Sequence, residues 1–107
     1  EKNMNSNKIY QQNKQAQLNA YKIDLSKLKA ISSRTNETVQ IEMNHHFRWI
    51  GFMIDEVNSI LLDFQKANGK TWRAIQIGIE SALVALQDSM NEANDELKFE
   101  KISNQGA

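Results

Sequence analysis

From Val39 onward the chain places an apolar residue at every third or fourth position: Val39, Met43, Phe47, Ile50, Ile54, Val57, Leu61 and Phe64. Such spacing gathers all eight on one stripe of an α-helix. A second stripe follows at the same interval, Trp72, Ile75, Ile79, Leu83, Leu86, Met90, Ala93 and Leu97. Between them "KANGKT" supplies Asn68-Gly69, a pair suited to a left-handed helix cap, and Thr71, able to cap the next helix.

The two stripes can be tested against each other, because facing positions of an antiparallel hairpin have residue numbers with a constant sum. Phe64 with Trp72, Leu61 with Ile75, Val57 with Ile79, Ile50 with Leu86 and Met43 with Ala93 total 136, while Ile54 with Leu83 and Phe47 with Met90 total 137. This predicts an all-α fold built on a long antiparallel hairpin: a helix over about 37–66, a loop over 67–70, a helix over 71–100 and a tail at 103–107. At 1.5 Å per residue the hairpin is roughly 45 Å long.

Ahead of the hairpin, residues 1–35 form a polar segment rich in Asn, Gln and Lys, with a thin seam of Leu18, Tyr21, Leu25 and Leu28. It reads as a helical arm. Several capping residues between Ser32 and Thr38 interrupt the hydrophobic register and mark a helix boundary. The arm either folds back to make a three-helix bundle or reaches a neighbouring subunit.

Two helices rarely bury enough to stand alone, and apolar residues also lie off the seam. Ile77 and Val84 are nearly opposite the Ile79–Leu86 stripe, and Ile41, Phe52 and Leu62 lie far round from Val57. Helices with two apolar faces belong inside larger bundles, so Phe52, Leu62, Ile77 and Val84 are expected to form a second contact face. The simplest arrangement is a four-helix homodimer. Gly51, costly inside a helix, and Gly78 with Ser81, Ala82 and Ala85 would let helices approach closely at a crossing.

Composition narrows the function classes. At 107 residues, without Pro and with four Gly, the chain is one helical domain too small for a large enclosed active site. It has no Cys, hence no disulfide framework, thiol nucleophile or Cys-based metal site. Thirteen basic residues balance thirteen acidic ones, so no net field draws it to nucleic acid or anionic lipid. Locally the charge is uneven: residues 1–34 hold seven basic and two acidic side chains, residues 88–101 five acidic and two basic. No apolar run is long enough to span a bilayer, so any membrane link would pass through an upstream anchor. The start at Glu1 suits a processed product or an excised fragment, which favours an envelope or virion context over a cytoplasmic one.

Candidate chemistry is concentrated in "IEMNHHFRWIGFMID", Ile41 to Asp55. Glu42-x-x-His45 has the spacing with which di-iron bundles present a carboxylate and an imidazole on one face. A full site needs another carboxylate in that layer, where Met43 and Ala93 stand instead. Glu42 with His46 is an ordinary i,i+4 pair. No metal or cofactor is expected. Trp49-Ile50-Gly51 resembles the signature of the small secreted helical hairpins named for a Trp-x-Gly motif, a family of about this length. In that family the motif lies in the turn and a C-terminal Tyr-x-x-x-acid export signal follows; here it lies inside the Phe47–Ile54 stripe, and both tyrosines, Tyr10 and Tyr21, are in the arm. No catalytic triad, phosphate loop or lysine run is apparent.

The sequence thus points to a non-enzymatic assembly protein acting through helix–helix association with itself or with other helical proteins, as a subunit or tether in a secretion, surface or viral complex. A ligand-sensing bundle excised from a membrane receptor is the alternative, and a small nucleic-acid-binding bundle a third.

Overall fold

The structure is a computed structural model that describes the backbone of residues 2–67 and 69–105 and the side chains of residues 6–67, 69 and 71–99. Three helices follow one another: α1 (Lys2–Ser32), α2 (Glu37–Lys66) and α3 (Gly69–Gln105). α2 packs extensively against both α1 and α3, while α1 and α3 touch less. The molecule is a rod with extents of 61 × 17 × 15 Å.

The turn between α1 and α2 is held by its polar residues. Asn36 takes an extended backbone conformation and its side chain accepts a hydrogen bond from the Val39 N–H at 3.0 Å, which satisfies a donor that the first turn of α2 leaves without a partner. Gln40 donates from Nε2 to the Thr35 carbonyl at 2.8 Å and so ties the helix to the loop. Glu37 in the first turn places negative charge at the positive end of the helix dipole.

α2 and α3 form the hairpin. Phe64 and Trp72, facing positions of its first layer, have ring centroids 5.7 Å apart. Deeper along the seam Val57, Ile79, Ile50, Leu86, Met43 and Ala93 are all buried. Each large aliphatic side chain removed from water there contributes about 1.5–3 kcal/mol. Met53, outside the expected stripe, is also buried, and its sulfur accepts a hydrogen bond from the Ser89 hydroxyl at 3.4 Å.

One expectation about glycine requires correction. No glycine among the described residues has positive φ, and α3 already begins at Gly69. Gly69 is therefore a helical residue rather than a left-handed cap, Thr71 lies within the first turn, and Asn68 is outside the described residues. α2 ends at Ala67 in an extended conformation, its N–H bonded to the Phe64 carbonyl at 3.2 Å. The chain thus leaves α2 in an extended conformation at Ala67. Gly51 and Gly78, expected at a close helix crossing, are not at one within the chain: a Cβ added to either would meet nothing within 4 Å. Both sit off the seam, on surfaces that no helix of the same chain covers.

The arm folds back. α1 runs antiparallel to α2, placing Leu18, Leu25 and Leu28 in the same core as the hairpin, with Tyr10 and Tyr21 packed against it. The third helix that a two-helix hairpin needs comes from the chain itself.

Candidate association surface

The expected seam residues fall together in the interior. Met43, Phe47, Ile50, Ile54, Val57, Leu61, Phe64, Ile79, Leu83, Leu86 and Met90 are buried, and Ile75 is partly buried against them. They form the core of one chain. What remains on the surface is the second apolar set: Phe52, Leu62, Ile77 and Val84 are each more than half exposed, as are Ile41 and Trp49.

These exposed residues follow from helical geometry. A seam of a, d and e positions occupies under half of the circumference of α2, and Ile41, Phe52 and Leu62 project from the opposite side. Trp49 and Phe52, three residues apart, stack at 5.8 Å with their rings 19° from parallel. With His45 and Arg48 they line a shallow depression on the outside of α2. Water bathes two of the largest apolar side chains of the protein. Ile77 and Val84 project likewise from α3, and Ile9 and Ile23 from α1.

A polar cluster fastens the arm at the hairpin's closed end. Tyr10 donates its hydroxyl to Glu80 at 2.6 Å, and Lys14 pairs with the same carboxylate oxygen at 2.8 Å while lying 5.4 Å from the centre of the Tyr10 ring. Below them Tyr10 meets Phe64 at 5.2 Å and Trp72 at 6.4 Å. Burial, then the carboxylate beside it, pushes the Tyr10 phenol well above its usual range. The hydrogen bond from Lys14, followed by that from Tyr10, holds Glu80 below its ordinary value. Two donors on one carboxylate make a latch between α1 and α3. The indole N–H of Trp72 is buried beside it and finds no acceptor among the described residues.

The latch escaped the sequence reading, although its signal was present. Tyr10 and Lys14 stand eight and four residues before Leu18 and continue the arm's seam backwards. Glu80 lies about 70 residues further along the chain, and nothing local in the sequence reveals that Tyr10 arrives beside it.

Glu42 and His45 are both exposed on α2. Among the described residues no group of three or more His, Cys, Asp or Glu could hold a metal ion, and no helix is long and apolar enough to cross a membrane. The Trp49-Ile50-Gly51 tripeptide lies inside helical α2, with Ile50 pointing into the core and Trp49 out of it. No known protein family, curated protein or solved structure matches the chain.

Proposed function

We propose that the protein is a non-catalytic assembly module that acts through association of its helices with further helices, first of all those of other copies, as a subunit or tether in a secretion, surface or viral complex. The observation that carries this reading is the placement of large apolar side chains on outer surfaces of a bundle whose interior is already filled. Ile41, Trp49 and Phe52 on α2, and Ile77 and Val84 on α3, contribute nothing to the seam and yet are more than half exposed. Solvent exposure of grouped apolar side chains on a small protein marks contact surface. A ligand-sensing bundle would instead require an enclosed apolar pocket. A depression between Asn7–Gln15 of α1 and Phe64–Ala67 is open and bordered mostly by amides and a lysine.

Sedimentation equilibrium over micromolar to millimolar concentration tests the proposal. The apparent mass should rise above the 12.3 kDa of one chain. Phe52→Asp or Val84→Asp should lower the association without unfolding the protein. A single species of monomer mass across the whole range would overturn the reading.

A further inference from the structure

Every residue on the outward stripe of α2 is exposed, and the stripe reads as an ordered series: Glu37, Ile41, Asn44, Arg48, Phe52, Asp55, Ser59, Leu62 and Lys66, at steps of three or four. Turned end for end and laid on a second copy, it matches itself. Glu37 meets Lys66, Ile41 meets Leu62, Asn44 meets Ser59 and Arg48 meets Asp55, all at a residue-number sum of 103, and Phe52 meets Phe52 at 104. Opposite charges, apolar pairs and polar pairs each coincide. The same half-residue tolerance describes the layers within the α2–α3 hairpin.

We infer that the outer face of α2 is a two-fold, antiparallel interface with a second copy of this chain, centred on Phe52 beside Gly51. The inference rests on the assembly reading above and names its first partner and register. A two-fold contact is self-complementary by necessity, since each position meets its partner's reversed sequence. Parallel pairing fails the same test: it sets Glu37 on Glu37, Arg48 on Arg48, Asp55 on Asp55 and Lys66 on Lys66, four like-charge contacts that an interface avoids.

Gly51 acquires a reason in this arrangement. Nothing in its own chain lies within 4 Å of the Cβ it lacks, so the space is open on the side of the proposed contact. At the sum of 103 the residue that faces it is Phe52 of the other copy, whose ring needs such a gap. Trp49, stacked on Phe52, then flanks a four-ring cluster at the centre of the contact, where aromatic anchors carry most binding energy. The stripe from Glu37 to Lys66 is about 44 Å long at 1.5 Å per residue. α3 offers a shorter match, Arg73 with Asp88 and Ile77 with Val84, confined to residues 73–88 and without an aromatic anchor.

Charge reversal in trans provides the test, measured by sedimentation at low salt on the full chain. Arg48→Glu alone sets an acid against Asp55 of the other copy in both symmetry-related contacts, and Asp55→Arg alone sets two arginines against each other in the same places. Each variant should weaken self-association by roughly tenfold or more. An equimolar mixture of the two restores both oppositely charged contacts and should return association to within roughly threefold of the parent. Both residues are exposed, so melting of dilute samples should stay close to the parent's and exclude misfolding as the cause. Three results would overturn the interface: association unaffected by either reversal, loss without recovery in the mixture, or loss with Val84→Asp while both reversals are tolerated. In each of these the assembly reading survives with another surface. A parent chain that stays monomeric brings down both.

Discussion

The inner and outer faces of α2 both carry large apolar side chains but do different work. On the inner face Ile50 and Val57 are wholly buried, the buried residues of the helix are all apolar, and the periodicity is unbroken. On the outer face apolar side chains alternate with charges, Ile41, Arg48, Phe52, Asp55 and Leu62, and all are exposed. A continuous apolar stripe specifies burial without naming a partner, because one hydrocarbon surface suits many others. A stripe that mixes charges with apolar groups is weaker glue and discriminates better.

The sharpest way to break this contrast is to place a charge on the inner side. Leu86→Asp buries a carboxylate opposite Ile50 and is expected to cost more than about 4 kcal/mol, a large part of the stability of a domain this size. Circular dichroism should show loss of the cooperative melt. If the protein melts normally, the inner face is not the core.

Next in size is the arm. Leu18 is fully buried although its helix is the most polar of the three. Leu18→Ala should cost about 2–5 kcal/mol by urea denaturation, like a core leucine elsewhere. A loss under about 1 kcal/mol would mean that α1 merely leans on the hairpin.

The latch is smaller and depends on pH. Tyr10→Phe keeps the ring against Phe64 and removes the bond to Glu80, at an expected cost of about 1 kcal/mol. Glu80 is lowered below the ordinary 4.5, so its contribution is present above that value and is lost as pH falls through the folded-state value. With nearly half of its side chain exposed, solvent screening holds that contribution below about 1 kcal/mol. At the other extreme Tyr10 is raised, so its contribution is present below the ordinary 10.0 and is lost as pH climbs beyond it. Urea melts of Glu80→Gln should show a flatter acid limb between pH 5 and 3 than the parent. Identical limbs would remove the latch from the energetics.

The smallest effect belongs to the outer face. Gly51→Ala adds a Cβ that meets nothing in its own chain and removes the helix penalty of glycine, so dilute protein should gain about 0.5–1 kcal/mol. A loss of stability in dilute solution would show that an unseen neighbour occupies the space.

The hairpin is legible in the sequence because its two stripes constrain each other: a register that pairs Val57 with Ile79 also pairs Met43 with Ala93. The arm gave no such check. Its seam of Leu18, Tyr21, Leu25 and Leu28 satisfies a neighbouring subunit as well as its own hairpin, and one stripe alone carries no register. Met53 was missed because it lies at the edge of the stripe, where burial depends on Ser89 across the hairpin. Gly69 misled because Asn-Gly is a strong cap signal locally, whereas α3 begins with it. The outward set of Phe52, Leu62, Ile77 and Val84 was visible from periodicity, and the structure places all four in solvent.

The rod shape has a practical consequence for weighing this molecule. A compact chain of this length has a radius of gyration of about 13 Å, whereas here it is 17.1 Å. Friction rises with length, so a lone chain passes through a sizing column ahead of spheres of equal mass and imitates a heavier particle. Retention time therefore reports its outline, and buoyant mass is the quantity that counts its subunits.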